Sequence, residues 1–354
     1  MDDWCRVLTG DCRQTLKDVE AGSVQTCITS PPYWGLRDYG TASWEDGDPD
    51  CDHVEPRQVR GKGSEKQKTC NEGEGGSTWM VCGKCGAIRV DDQIGIEESP
   101  DAYVASMVEV FRQVHRVLRD DGTIWVNLGD SYSSGSRTSQ VNQSVRGSDG
   151  YGVSRPPPCV GLKPKDLVGI PWRVAFGLQA DGWFLRQDII WHKPNPMPES
   201  VTDRCTKAHE YFFLLSKSKS YHYDHEAIME ETTSPPHKMG NTTAPEKGMG
   251  GLNNIGDPSR VIGEDGLKNK RSVWSVTAKG FNDAHFATMP EELVTPCVLA
   301  STRPGDTVLD PFGGSGTTGK VAIENGRRAI LCELNPDYVG MIQKRTSTTI
   351  GFGF

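Results

Sequence analysis

The chain has 354 residues, 35% of them hydrophobic and 24% charged, with a formal net charge of −8 at neutral pH. It is long enough for one large domain with insertions or for two domains, and its acidity gives no global attraction to nucleic acid, so a polyanion would need a local basic face. No apolar run approaches the ~20 residues that span a bilayer, and the opening MDDWCRVLTGD lacks a basic-then-apolar leader.

In chain order, GSVQTCITS (22–30) reads as a buried strand that stops at Pro31 and Pro32. From Thr41 to Ile94 the composition turns to Gly, Asp, Lys and Glu, and the stretch reads as an insertion. PDAYVASMVEVFRQVHRVLRDDG (100–122) sets Val104, Met107, Val108, Phe111, Val114 and Val117 on one helical face between Pro100 and Gly122. A strand over 123–130 follows, then a Ser/Gly/Arg-rich loop over 131–165. A helix is predicted over 167–182, with 183–193 and 209–218 as neighbouring strands, and the polar stretch from Tyr223 to Lys270 has no clear period. The C-terminal part is the most regular: helix Glu291 to Ser301, strand Thr307 to Asp310, glycine loop, helix Thr317 to Asn325, strand Ala329 to Glu333, helix Pro336 to Lys344. Strands alternating with helices predict an α/β fold with a mainly parallel sheet covered on both faces.

Two short stretches carry chemistry. In VLDPFGGSGTTGKVAIENGRRAILCELN (308–335), Gly313, Gly314 and Gly316 let the backbone turn sharply against a ligand. Glu333 follows at about the twenty-residue spacing from which a carboxylate accepts ribose hydroxyls. Gly314 to Lys320 also fits the start of a phosphate-binding P-loop, but Val321 stands where a Mg²⁺-binding hydroxyl belongs, and the loop departs from the dinucleotide GxGxxG. A ribose-bearing cation without pyrophosphate, such as S-adenosylmethionine, suits Asp310 and Glu333 better; an ordinary Gly-rich βα turn is the bland alternative. The second stretch is TSPPYWGLRDY (29–39), where Ser30 Oγ and the Pro31 carbonyl are acceptors suited to an exocyclic amine. The ring of Tyr33 suits a base swung out of its duplex, and a proline turn capping a strand is the plain alternative.

The 11 cysteines of a chain with no visible export signal argue for reduced thiols or metal ligands. Cys51 and His53, facing Cys82 and Cys85 in a C-x₂-C-G knuckle, make a closed set suited to structural Zn²⁺, with Cys70 able to replace His53. A loop of unpaired thiols is the alternative. Between them, Arg57, Arg60, Lys62, Lys66 and Lys68 form a basic stretch able to touch phosphates.

Taken together, TSPPYWGLRDY, DPFGGSGTT and Gly10–Asp11 resemble the amino-group DNA methyltransferases that modify cytosine N4 or adenine N6. The motif order is similar to the beta group of that family, here with a zinc-ribbon-like insertion. The resemblance implies a Rossmann-like S-adenosylmethionine-dependent methyltransferase sheet in permuted motif order. It places Asp310, Phe312, Gly314, Gly316 and Thr317 at the cofactor, Glu333 on its ribose, Asp11 near its adenine, and Ser30, Pro31, Pro32 and Tyr33 at the catalytic site. HFATMPEELV (285–294) resembles the segment contacting the methionine part, or is simply a helix start at Pro290. The implied division is catalytic core over 1–40, 96–222 and 273–354, zinc-binding insertion over 41–95 and target recognition over 223–272.

Ser30, where adenine-modifying relatives more often carry Asp or Asn, points to cytosine N4, with adenine N6 as the alternative. Cytosine C5 chemistry would need a Pro-Cys nucleophile, and Pro158–Cys159 lies in a loop while Pro296–Cys297 lies within a predicted helix. A non-catalytic zinc-ribbon DNA-binding protein and a P-loop nucleotide hydrolase are the readings from other classes. The expected partner is double-stranded DNA, with a cognate restriction endonuclease where the gene is restriction-linked, no membrane, and monomer and homodimer both open. The expected setting is the cytoplasm of a prokaryote or a phage-infected host.

Overall fold

A computed structural model describes residues 4–35, 41, 43–53, 82–133, 162–232, 237–238, 261–262, 266–278, 280–281, 284–287 and 289–350. Cys70, the basic stretch 57–68, Pro158–Cys159 and most of 131–165 and 223–272 lie outside the described residues. The chain divides into two units. The first comprises Met1–Pro31, Val104–Ser131 and Leu167–Phe354, the second Pro32–Tyr103 and Tyr132–Asp166.

The first unit is built on one eight-stranded sheet. Its strands are β1 (Cys5–Thr9), β2 (Val24–Thr29), β3 (Leu118–Leu128), β4 (Phe184–His192), β5 (His209–Ser216), β6 (Val273–Ser275), β7 (Thr307–Asp310) and β8 (Arg328–Glu333). They lie in the order β1-β8-β7-β2-β3-β5-β4-β6. All run parallel except β5, which is antiparallel to β3 and β4. The helices are α1 (Cys12–Thr15), α2 (Pro100–Val117), α3 (Ile170–Ala180), α4 (Glu291–Ser301), α5 (Thr317–Glu324) and α6 (Pro336–Ile350).

Every residue of β2 is buried, as expected of an uncharged run in a sheet covered on both faces. On one face Leu293, Val294, Cys297 and Val298 of α4 and Val321 and Ala322 of α5 join Ile28, Trp125, Phe212 and Leu214 in a single cluster. Trp125 Nε1 donates to Ser301 Oγ at 2.7 Å, so this fully buried indole also satisfies its polar atom. Phe213, one residue on from Phe212, points to the opposite face, where Trp172 of α3 meets it edge-on at 5.1 Å.

The strand–helix alternation of the C-terminal part stands as read, with α6 running on to Ile350. The boundary between α2 and β3 does not. The helix stops at Val117 and the strand starts at Leu118, because Leu118 is fully buried and pairs with Val24. Gly122 is no helix cap. It lies at an irregularity of the β2–β3 pairing, where a Cβ would come within 2.9 Å of the Arg119 carbonyl and 3.0 Å of the Gln25 carbonyl. Strands β1 and β6 were not anticipated from the sequence.

In the second unit, Trp34 is 1% exposed and its Nε1 donates to the Glu97 carbonyl at 2.9 Å. A short antiparallel hairpin pairs Ser43–Glu45 with Ile88–Val90. Among the described residues no helix is long and apolar enough to cross a membrane.

Candidate active site

In an open parallel sheet, ligands bind beyond the carboxyl ends of the strands, where the strand order reverses. Here that point lies between β2 and β7, because β7 continues to β8 on one side and β2 continues to β3 on the other. Ser30 follows β2, Asp310 ends β7, Glu333 ends β8 and Asp11 follows β1, so four residues singled out in the sequence share one edge of the sheet.

Asp310 is 4% exposed, and its Oδ1 accepts from Thr29 Oγ1 at 2.6 Å and from the Phe312 amide at 3.0 Å. Burial pushes its pKa up to about 7 even though these donors pull it down. Glu333 is 9% exposed; burial raises its pKa, opposed by the amides of Asn335 and Gly314, which reach its two oxygens at 2.8 and 2.7 Å. A carboxylate offers about four acceptor sites, so Glu333 still has room to accept a ribose hydroxyl. Asp11 caps α1 through the Arg13 amide at 2.8 Å and is salt-bridged to Arg13 at 2.6 Å.

The glycine loop between β7 and α5 needs its glycines. Gly314 has φ +51° and Gly316 φ +80°, and a Cβ on Gly316 would lie 3.2 Å from Ile342 Cα. Phe312 is half-buried, and Thr317 opens α5, buried. Arg345 of α6 ties the loop down: its Nη1 donates to Ser315 O and Oγ at 2.9 and 2.8 Å and to Thr317 Oγ1 at 3.3 Å. Arg345 and Lys320 both reach Glu291, and Lys320 also pairs with Glu324. A lysine held by two carboxylates on the flank of α5 is poorly placed for a phosphate, which removes the remaining support for the P-loop reading. The donor set matches a ligand with ribose and positive charge: two buried carboxylates at neighbouring strand ends with backbone turned tightly between them.

One residue past Thr29, Ser30 Oγ donates to Asn127 Oδ1 at 3.2 Å, and Asn127 Nδ2 donates to Glu210 Oε2 at 3.2 Å and Tyr211 O at 3.1 Å. Glu210 is ion-paired with Lys193. Pro31 is buried and ends its part of the first unit. Pro32 and Tyr33 are half-buried members of the second unit, where Tyr103 Oη donates to the Pro32 carbonyl at 2.8 Å. Thr29, Asn127, Glu210 and Arg345 were missed in the sequence; the one available signal was a polar Asn127 inside the otherwise apolar TIWVNL.

In the second unit the ligand atoms of Cys51, His53, Cys82 and Cys85 all lie within 4.8 Å of one another. Cys51 and Cys82 Sγ are 3.9 Å apart, and Cys85 Sγ is 3.4 Å from His53 Nδ1. Tetrahedral zinc with ordinary bond lengths sets sulfur–sulfur edges of about 3.8 Å and sulfur–nitrogen edges of about 3.6 Å. These two separations lie close to those edges, so the four residues are a candidate ligand set for such an ion. Backbone amides of Cys85 and Lys84 hold the Cys82 thiol down to about 6, favouring the thiolate that a metal binds. Gly86, with φ +76°, makes the knuckle's turn, and Trp44 stacks on His53 with ring centroids 5.0 Å apart.

Residues 24–344 match the family model described as DNA methylase (N6/N4). The chain is 41% identical over 336 residues to the type II methyltransferase M.Cfr9I of Citrobacter freundii, covering 95% of this chain and 85% of that one. It is 40% identical over 342 residues to M.SmaI of Serratia marcescens, covering 96% and 90%. Among solved structures it is similar to the PvuII cytosine-N4-specific DNA methyltransferase, with TM-score 0.55 and 17% identity over 98% of this chain and 90% of that one. It is also similar to a putative DNA modification methylase of Thermus thermophilus complexed with S-adenosyl-L-methionine, with TM-score 0.53 and 20% identity over 99% and 97%. At these last two identities the likeness is one of fold.

Proposed function

The chain belongs to the N6/N4 DNA methylase family, an S-adenosylmethionine-dependent DNA methyltransferase, and on that premise we propose that it methylates cytosine N4 in double-stranded DNA. The observation that carries the choice of base is Ser30, a neutral hydroxyl just past β2, next in sequence to the Thr29 that donates to the buried Asp310. A base must leave the duplex to be reached, and its exocyclic amine is a poor nucleophile while its lone pair is delocalised into the ring. Ser30 Oγ and the Pro31 carbonyl accept from that amine and favour a pyramidal nitrogen, and Tyr33 offers its ring to the base. S-adenosylmethionine, when bound, supplies an electrophilic methyl group on a positively charged sulfur. Asp310, Phe312, Gly314, Gly316 and Thr317 would hold it, with Glu333 on the ribose and Asp11 near the adenine. No shifted general base is required, since positioning and electrostatics lower most of the barrier.

The reading extends to the rest of the chain. Cys51, His53, Cys82 and Cys85 hold a structural Zn²⁺ in an insertion over 41–95, and 223–272 supplies target recognition between core segments 96–222 and 273–354. The setting is the cytoplasm of a prokaryote or phage-infected host, where a cognate restriction endonuclease would cut the unmodified site.

The test uses tritiated S-adenosylmethionine and mixed-sequence duplex DNA, with the product digested to nucleosides and separated. Label in N4-methyldeoxycytidine supports the reading, and label in N6-methyldeoxyadenosine overturns the choice of base. Ser30→Ala should slow transfer about 100-fold with cofactor affinity unchanged, and wild-type turnover in that variant would remove Ser30 from the site.

A further inference from the structure

Near the carboxyl end of β3 stands an amide that the chemistry above does not use. Asn127 is 1% exposed, with Oδ1 toward Ser30 Oγ and Nδ2 toward the Glu210 carboxylate and the Tyr211 carbonyl. A carboxylate and a carbonyl accept hydrogen bonds and never donate them. Turning the amide over would set its oxygen against both of these half-buried acceptors, replacing two hydrogen bonds with repulsion between oxygens. Glu210 is itself anchored by its ion pair to Lys193. The amide is therefore held in this orientation, in which its oxygen accepts from Ser30. A hydroxyl has a single proton. Given to Asn127, it leaves the Ser30 oxygen with only lone pairs for any outside partner.

We propose that Asn127 is a positioning residue, held by Glu210, that commits the Ser30 hydroxyl to accepting a hydrogen bond from the target amino group. The inference rests on the assignment of Ser30 to that amine. A serine free to rotate could instead donate to the nitrogen lone pair, the pair that must form the new bond. Fixing the hydroxyl as an acceptor removes that competition before the substrate arrives. The arrangement also directs the proton. As the nitrogen–methyl bond forms and the methyl–sulfur bond breaks, its electron pair stays on sulfur and the nitrogen becomes cationic. An amide oxygen is no base near neutral pH, so Ser30 has no acceptor to relay to, and the amine's proton leaves to water.

The experiment is a mutant cycle on the full-length protein: Ser30→Ala, Asn127→Leu and the double variant, with single-turnover rates at saturating DNA and S-adenosylmethionine. Cofactor affinity and melting temperature are read alongside. Asn127→Leu should slow the methyl-transfer step about tenfold, the kinetic equivalent of ~1.4 kcal/mol, with the KM for DNA unchanged. The double variant should be no slower than Ser30→Ala alone, because Asn127 acts only through Ser30. Multiplied penalties would mark a merely structural role and overturn the inference, as would a wild-type rate in Asn127→Leu beside a crippled Ser30→Ala. A wild-type rate in Ser30→Ala would instead overturn the placement of Ser30 itself. Should Asn127→Leu fail to fold, Glu210→Gln carries the test: it removes one of the two acceptors that orient Asn127, leaving only the Tyr211 carbonyl, so the rate should fall severalfold in a Ser30-dependent way. Loss independent of Ser30 would refute it.

Discussion

Replacing Asp310 with asparagine should change the shape of the stability–pH curve more than its height. The wild-type carboxyl is buried at the end of β7 with its pKa raised to about 7, whereas in an unfolded chain an aspartate titrates near 3.9. Below pH ~4 both states hold the proton and the group has no effect on the slope. Between about 4 and 7 the unfolded chain has released its proton and the folded chain keeps it, so stability falls as pH rises through this window. At ~1.4 kcal/mol per pKa unit, the loss reaches about 4 kcal/mol by pH 8. The substituted amide cannot ionise, yet its carbonyl still accepts from Thr29 Oγ1 and the Phe312 amide, so the variant's curve lacks this slope. Urea unfolding of the cofactor-free protein from pH 4 to pH 8, followed by tryptophan fluorescence, should show the two curves diverging by about 4 kcal/mol in favour of Asp310→Asn. The same variant should bind S-adenosylmethionine weakly, because the ionised carboxylate that destabilises the fold is the charge that attracts the cofactor. Parallel curves for the two proteins would refute the assignment of a buried, proton-retaining Asp310.

Elemental analysis should find about one zinc per chain, released by a strong chelator with loosening of the second unit and lowered in Cys82→Ser; purified protein without metal would refute the zinc set. Gly316→Ala should cost about 1–2 kcal/mol by thermal melting, since φ +80° strains any L side chain and its Cβ would press on Ile342 Cα at 3.2 Å; unchanged stability would contradict the loop geometry. Cys297→Ala should transfer methyl groups within about twofold of wild type. Its thiol is fully buried in α4 and pushed well up by that burial, so it cannot serve as a nucleophile. Lost transfer in a folded Cys297→Ala protein would reopen C5 chemistry.

Where local signals agreed with one another, the sequence was legible. β2, β7 and β8 are short runs bounded by turn residues, and the α4–β7–α5–β8–α6 alternation admits few other arrangements. What escaped was held by partners rather than by pattern. β1 is a five-residue edge strand of half-exposed residues, visible only because Cys5 to Thr9 lie in register with Ala329 to Glu333. β6 has three residues, one buried, and exists because Trp274 packs into the cluster beneath α4. Gly122 looked like a helix stop because the same residue type serves caps and bulges alike, and only crowding by the Arg119 and Gln25 carbonyls tells them apart.

The same distinction separates the two halves of the candidate site. The cofactor loop was readable because a tight turn demands glycine and a ribose demands an acid at a set spacing, both local requirements. The environment of Ser30 was not, because it is assembled by pairing. Glu210 stands 83 residues from Asn127 in the chain and reaches it through the antiparallel register of β3 on β5, with Asn127 opposite Phe212 and Leu128 opposite Tyr211. A slip of one residue in that pairing would exchange the faces of every side chain on β5 and carry Glu210 away from the amide. The aromatic and aliphatic core that locks this register, with Phe212 against Trp125 on one face and Phe213 against Trp172 on the other, therefore also sets the direction of one serine's hydrogen bond.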